Sequence, residues 1–152
     1  MNKDTAICIA ETLKHIKRVT EVLSLFVTDL INRGNNHDLS KLQDPELSLF
    51  TEHTQRLSKI EYGSDEYKAS LEALKPALEH HYARNRHHPE HHKNGVNDMT
   101  LLDLIEMFCD WKAASERQNN GNILKSIEVN GKRFNMSEQL IKIFENTARE
   151  MF

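Results

Sequence analysis

The chain has 152 residues, of which 28% are charged and 38% are apolar, with a formal net charge of −3. That length supports one domain with a buried core, and the composition excludes a disordered chain. Lys and Arg are not concentrated in any segment, which argues against nucleic-acid binding. No segment is as long and apolar as a membrane span and no secretory signal pattern opens the chain, so we expect a cytoplasmic protein without membrane partners.

The first predicted helix covers residues 4–33, where apolar side chains recur at spacings of three and four. His15 lies at the border of this apolar stripe, so we expect its ring to point inward. Gly34 follows in the position where a glycine usually ends a helix. A lone histidine on a helix is more often a packed, hydrogen-bonded side chain than a metal ligand, so His15 gains weight only from the motifs that follow.

A second helix is predicted over residues 45–60, because Asp44 is a good helix cap and Pro45 suits the first helical position. The adjacent pair His37-Asp38 stands shortly before it. Such a pair can bind a metal, although an Asp in this setting can also serve as a helix cap.

A third predicted helix starts after a turn at Gly63, with Ser64 as its cap, and Pro76 either kinks or restarts it. Six of the nine histidines follow within thirteen residues: His80, His81, His87, His88, His91 and His92. The polar segment 86–97, closed by Gly95, is predicted to be a loop. Histidine clusters are metal ligands, pH-responsive surfaces or tag-like tracts.

Thr100 and Asp103 predict a capping box that opens an apolar helix over residues 101–117. Asp110 lies within this helix among apolar residues. A carboxylate there meets a large desolvation cost unless a cation or hydrogen bonds compensate it. Pairing with an Arg or a His is the simpler alternative to a metal.

Residues 127–134 contain an Asn-Gly pair between β-favouring residues and predict a small β-hairpin. Ser137 is expected to cap a last helix. The elements together predict an all-α helical bundle in a single domain, residues 1–152, with the hairpin as its one sheet. Cys8 and Cys109 lie in apolar helical patterns and are expected to be buried free thiols.

Imidazole and carboxylate groups from separate elements are the ligands that divalent metals favour. This sequence offers His15, His37-Asp38, one or more cluster histidines and Asp110. Taken together, they predict a divalent metal site.

The order of these residues resembles the HD superfamily of metal-dependent phosphohydrolases. The segment His15-Ile16-Lys17-Arg18-Val19 is similar to that family's first-helix histidine motif. His37-Asp38-Leu39-Ser40-Lys41 is similar to its His-Asp-hydrophobic-Gly-Lys signature, with Ser in place of Gly. The run that ends in Asp110-Trp111 is similar to the apolar run before the family's last aspartate. More narrowly, the segment around His81-Tyr82 and His87-His88-Pro89 resembles an uncharacterised family of bacteria and phages.

The resemblance implies an HD-type helical domain that binds one or two divalent ions and hydrolyses a nucleotide or a related phosphoester. His81 and one of His87 or His88 would complete a second metal site, and nothing in the sequence chooses between the last two. Asp38 would hold both the metal and the attacking water. Four cations are candidates for binding phosphate oxygens: Lys41, Arg84, Arg86 and Arg117. Lys41 would also take part in catalysis.

Two other functions stay open at this stage. A two-iron site with the same ligands can activate oxygen instead of hydrolysing phosphate. A non-catalytic bacterial or phage protein could use the pocket to bind a nucleotide or a partner, in the host cytoplasm if it is phage-encoded. The identity of the metal (Mn, Fe, Co, Ni, Zn or Mg) and any homo-oligomer are also open.

Overall fold

A computed structural model describes residues 2–57, 65–117 and 121–152, and their regular structure is entirely helical. No strand occurs in these ranges, which confirms the predicted all-α class. The chain divides into two compact units, Met1–Asn36 and His37–Phe152. None of the described helices combines the length and the apolar character that crossing a membrane requires.

The first unit consists of one long helix, α1, which spans Lys3–Asn36. The predicted end at Gly34 is wrong, because Gly34 lacks the positive φ of a terminating glycine and the helix continues for two residues. The Asn36 side chain donates to the Asn32 carbonyl one turn back. His15 lies near the middle of α1, and the prediction that its ring points inward is wrong, because the residue is exposed.

The second unit begins with a short 3-10 turn and two helices: Leu39–Leu42, α2 over Glu46–Leu57 and α3 over Asp65–Arg84. Helix α2 packs against α3. Pro76 lies inside α3, which continues through it as one helix. Leu74, Ala77 and His81 are buried and lie three and four residues apart, so they share one face of α3.

Two 3-10 turns and α4 follow: Pro89–His91, Gly95–Asp98 and Leu101–Ser115. The segment predicted as a loop, 86–97, thus contains the first turn and most of the second, and Gly95 adopts a φ of +58° that favours glycine. The predicted capping box at the start of α4 is confirmed. The Thr100 hydroxyl accepts from the Asp103 amide, and the Asp103 carboxylate accepts from the Thr100 amide.

The predicted β-hairpin at 127–134 is wrong, because this stretch belongs to helix α5, Ile123–Arg133. Ile127 and Gly131 lie one turn apart and are both buried. A Cβ on Gly131 would stand 2.9 Å from Cδ1 of Ile141, which belongs to α6, Glu138–Met151. The glycine therefore serves close packing between two helices, and the Asn-Gly signal for a turn is overridden by that contact.

Helices α4, α5 and α6 build the apolar core, whose buried members are Met107, Phe108, Ile127, Met136, Phe144 and Ala148. The rings of Phe108 and Phe144 stack with centroids 5.4 Å apart. Ser137 caps α6 as predicted, because its hydroxyl accepts from the Leu140 amide. The C-terminal third, which carries no sequence motif, thus completes the core against one face of α4.

Three predicted features lie outside the described residues: the turn at Gly63, the cap at Ser64 and the end of the second predicted helix, residues 58–60. Cys8 and Cys109 are free thiols as expected, but the prediction that they are buried is wrong, since both are exposed. Cys109 lies on α4 but outside the apolar core.

Candidate metal centre

The pair His37-Asp38 opens the second unit with an unusual backbone. Asp38 has a φ of +58°, a left-handed conformation that Asp and Asn tolerate better than most residues. Residues in this region persist where the surrounding structure holds them, often at functional sites. One carboxylate oxygen of Asp38, Oδ2, accepts from Lys41 Nζ at 2.6 Å. The other, Oδ1, faces inward and is buried.

Three cluster histidines surround this inward oxygen. His81, on the last turn of α3, places Nε2 3.3 Å from Asp38 Oδ1 and 2.9 Å from Nε2 of His88. His87, in the segment after α3, places Nε2 3.5 Å from the same Asp38 oxygen. These residues form one group whose potential ligand atoms all lie within 4.8 Å of one another: Asp38, His81, His87 and His88.

A second group lies beside the first and shares His87 with it. Nε2 of His37 stands 3.6 Å from Oδ1 of Asp110, and these two residues with His87 again bring ligand atoms within 4.8 Å. Asp110 lies one turn beyond Glu106 on α4, so both carboxylates occupy the same face of that helix. A single imidazole nitrogen binds one ion, so Nε2 of His87 can serve only one of the two groups at a time.

Two outer carboxylates fix the orientation of three of these rings. Nδ1 of His81 lies 2.8 Å from Oε2 of Glu46, while Nδ1 of His37 and of His87 lie 3.0 and 3.1 Å from Oε1 of Glu106. An ionised carboxylate only accepts hydrogen bonds, so each Nδ1 carries the proton that it donates. Each Nε2 is thereby left as the nitrogen that faces the group, an arrangement typical of metal-binding histidines.

Glu46 is itself held from several sides. It is fully buried at the start of α2, and its Oε1 lies 2.7 Å from Nδ1 of His80. Ser40 donates to Oε2 of Glu46 at 3.1 Å and accepts from the Asn85 amide at 2.8 Å. Ser40 therefore belongs to the network around His81.

Two ligand atoms are buried and yet lack a hydrogen-bond partner among the described residues: Asp38 Oδ1 and His87 Nε2. Each buried polar atom left in this state costs about 1–3 kcal/mol. A cation between them would satisfy both. Metal–ligand bonds of about 2.0–2.2 Å place neighbouring ligand atoms about 2.8–3.6 Å apart, and the distances from His81 to His88 and Asp38, 2.9 and 3.3 Å, fall in that range. The donor set thus fits a divalent ion.

Burial and neighbouring charges shift the pKa values of residues in both groups. The carboxylate of Asp110, 3.6 Å away, and the hydrogen bond to Glu106 raise the pKa of His37 to about 10. Burial by itself would raise the pKa of Asp38, but His81 and Lys41 hold it well below its usual range. Burial, with His87 and His81 close by, lowers the pKa of His88 to about 3, so that this ring is neutral at pH 7.

The other predicted site residues lie in different surroundings. Arg86 forms a two-pronged ion pair with buried Asp103, with contacts of 3.0 and 3.2 Å, and this pair ties the segment that carries His87 to the start of α4. Arg84, the last residue of α3, and Arg117, two residues beyond the end of α4, are exposed. His15 lies in the first unit, whereas both groups of ligand atoms lie in the second.

A pocket of about 370 Å³ opens beside the first group. Among the described residues, its lining consists of Lys41, Phe50, Leu78, His81, Tyr82 and His88. Of the four predicted phosphate-binding cations, Lys41 belongs to this lining, whereas Arg84, Arg86 and Arg117 do not.

Glu46 and Glu106 are functional candidates that the sequence analysis missed. Glu106 could have been found, because it lies four residues before Asp110 and thus on the same face of a predicted helix. Glu46 carries no comparable signal, since it reads as an ordinary acidic residue in the first turn of a helix.

Comparison with protein families assigns residues 5–150 to a family described as Family of unknown function (DUF5662). The match covers nearly the whole chain, so the chain belongs to this family. Searches of curated proteins and of solved structures gave no significant match.

Proposed function

We propose that this member of the DUF5662 family is a metal-dependent phosphoester hydrolase whose ion is held by Asp38, His81, His87 and His88. The observation that carries the proposal is the buried, unpartnered state of two facing ligand atoms, Asp38 Oδ1 and His87 Nε2, 3.5 Å apart. Buried charged groups in proteins are paired or coordinate a metal, since an uncompensated group lowers stability.

Hydrolysis is the reaction class that the surroundings favour. A bound divalent ion lowers the pKa of water and offsets charge on phosphate oxygens. Lys41 brings an ammonium group to the pocket beside the ligands, where it can contact a phosphate oxygen. In the reaction, a water oxygen bonds to phosphorus, the phosphorus–oxygen bond to the leaving group breaks, and a water proton ends on the leaving oxygen.

The residues of the chain have separate roles in this proposal. Asp38 holds the ion through Oδ1 and positions Lys41 through Oδ2. Glu46 and Glu106 keep the proton of each contacting imidazole on Nδ1, so that Nε2 is available to the ion. His37 and Asp110 would bind a second ion.

The test combines metal content with turnover. Metal-stripped protein is supplied with Mn, Fe, Co, Ni, Zn or Mg in turn, and bound metal and phosphate release from a panel of phosphomonoesters and phosphodiesters are measured. The variant Asp38→Asn serves as the comparison, because Asn tolerates the left-handed φ of +58° at this position. We expect the parent to retain an ion and release product, and the variant to lose both.

Three results would overturn the proposal in different ways. Equal metal content in the parent and in Asp38→Asn would mean that the proposed metal centre does not exist. Retained metal with no product from any phosphoester would favour a binding module. Two irons with a mixed-valence visible band and oxygen consumption would favour an oxygenase. His15→Ala, measured for ions bound per chain, tests the role that the sequence suggests for α1.

A further inference from the structure

The pocket beside the metal centre has a lining of two chemical kinds. His81 and His88 belong to the first group of ligand atoms, and Lys41 is a cation. The rest of the lining consists of the Phe50 and Leu78 side chains and the Tyr82 ring. His81 and Tyr82 lie three and four residues after Leu78 on α3. Polar and apolar parts of the lining are therefore side by side on one helix face.

The volume of the pocket limits the size of what it holds. Small-molecule sites usually measure about 300–1,000 Å³. At about 370 Å³ this pocket lies near the lower end of that range. A phosphate with one compact group fits such a volume better than a nucleoside carrying several phosphates.

The charges around the pocket limit how many phosphates a bound molecule can carry. Lys41 is the one cation among the described lining residues, and its ammonium group already pairs with Asp38 at 2.6 Å. Three more carboxylates, Glu46, Glu106 and Asp110, contact the histidines of the two groups. A divalent ion and Lys41 can offset the charge of one phosphate, whereas each additional phosphate adds negative charge near these carboxylates.

We infer that the substrate is a phosphate ester with a single phosphate and a compact apolar or aromatic group. The phosphate meets the metal and Lys41, and the apolar group contacts Phe50, Leu78 and Tyr82. This inference rests on the proposed function for its reacting end. It names a substrate class, monophosphates of small apolar alcohols or phenols, and excludes di- and triphosphates.

The test is equilibrium binding of analogues that cannot be hydrolysed. Phenylphosphonate, methylphosphonate and the imido analogue of ATP are titrated into Mn²⁺-loaded protein by calorimetry. Burying a phenyl ring in the apolar lining should make phenylphosphonate bind at least about tenfold more tightly than methylphosphonate. The ATP analogue should bind more weakly than phenylphosphonate. Equal affinity for the two phosphonates, or tighter binding of the ATP analogue, would overturn the inference.

Two pairs of variants locate the binding. Phe50→Ala should reduce the preference for the phenyl group by at least about fivefold, whereas Leu47→Ala, an exposed position on the same helix, should leave it unchanged. Lys41→Met should weaken both phosphonates equally. Lys75→Met is its control, because Lys75 also pairs with a carboxylate three residues away but lies outside the pocket. If Phe50→Ala does not fold, Tyr82→Leu replaces it.

Failure of the inference and failure of the proposed function give different results. Metal-dependent phosphate release together with a preference for the triphosphate analogue would leave the function standing and reject this substrate class. A clear phenyl preference that Phe50→Ala abolishes, without turnover of any phosphoester, would support the pocket and reject hydrolysis.

Discussion

Helix α4 divides the second unit into two interiors of different chemistry. One of its faces carries Met107 and Phe108 into an apolar core with α5 and α6. Another face carries Glu106 and Asp110, which contact the buried or half-buried histidines of the candidate metal centre. The first interior gains stability from packing, since apolar side chains leave water at about 25 cal/mol per Å².

The second interior works in a different way. Its polar groups compensate one another, and two ligand atoms have no hydrogen-bond partner in the described part of the chain. Such an interior costs stability unless a cation completes it, whereas the core is complete without any ligand. Mutations in the core should therefore change folding alone, whereas mutations at the centre should change metal binding far more than folding.

Removal of a core ring should have the largest effect on stability. Phe144→Ala is expected to lower the free energy of unfolding by about 3–5 kcal/mol, because it leaves a cavity where Phe144 stacks on Phe108. Urea unfolding of metal-free protein measures it. Ile143→Ala, an exposed position on the same helix, is the control and should change stability by less than about 0.5 kcal/mol. Loss of metal affinity in folded Phe144→Ala would break the separation between the two interiors.

The ion pair that joins the two regions should come next. Arg86→Met is expected to lower the free energy of unfolding by about 1.5–3 kcal/mol, since it removes a charged, two-pronged contact to buried Asp103. Its matched control is Arg84→Met, an exposed position that should stay within about 0.5 kcal/mol. If phosphonate affinity falls sharply in Arg86→Met at unchanged stability, Arg86 binds substrate, as the sequence alone suggests.

Neutralising an outer carboxylate should weaken the metal centre without large loss of stability. Glu106→Gln is expected to lower metal affinity about 10- to 100-fold, because Glu106 orients both His37 and His87. Competition with a chromophoric chelator measures the affinity. Glu128→Gln on α5, where the exposed carboxylate pairs with Lys132 one turn away, should leave the metal affinity unchanged. An unchanged metal affinity in Glu106→Gln would mean that His37 and His87 do not need Glu106 to orient their rings.

Sequence reasoning singled out residues within the two groups of ligand atoms better than the residues that contact them from outside. His37 and Asp38 stood out as an adjacent pair of metal-ligand types, and Asp110 as a carboxylate in an apolar helix, where burial is costly. Glu46 did not, because its contacts to His80 and His81 span more than thirty residues and depend on how α2 packs on α3. Tertiary packing of this kind leaves no periodic signal in the sequence.

Two local signals were overridden by tertiary contacts or by chain geometry. The choice between His87 and His88 could not be made from helix periodicity, because α3 ends at Arg84 and the following segment brings both rings to the same group. The Asn-Gly signal for a hairpin failed for a related reason. Gly131 is needed where α5 approaches Ile141 of α6, and that contact decides the helix.

The pH dependence of stability should also distinguish the polar interior from the apolar core. His37 has its pKa raised to about 10 in the folded metal-free protein, chiefly by the nearby carboxylates of Asp110 and Glu106. Its contribution to stability is therefore fully present below pH 6.5 and is lost as pH rises through about 10. One proton linked to unfolding gives a slope of at most about 1.4 kcal/mol per pH unit.

His88 acts in the opposite direction. Its pKa is lowered to about 3, mainly by burial, so the neutral ring favours the folded state above pH 6.5 and this contribution is lost as pH falls toward 3. Urea unfolding of metal-free protein between pH 5 and 9.5 should therefore show a maximum near neutral pH. His37→Gln should abolish the alkaline decline and spare the acid one, while Phe144→Ala should lower the whole curve and keep its shape. An alkaline decline that survives in His37→Gln would assign it to another group, and the carboxylates of α4 would then not hold a proton on His37.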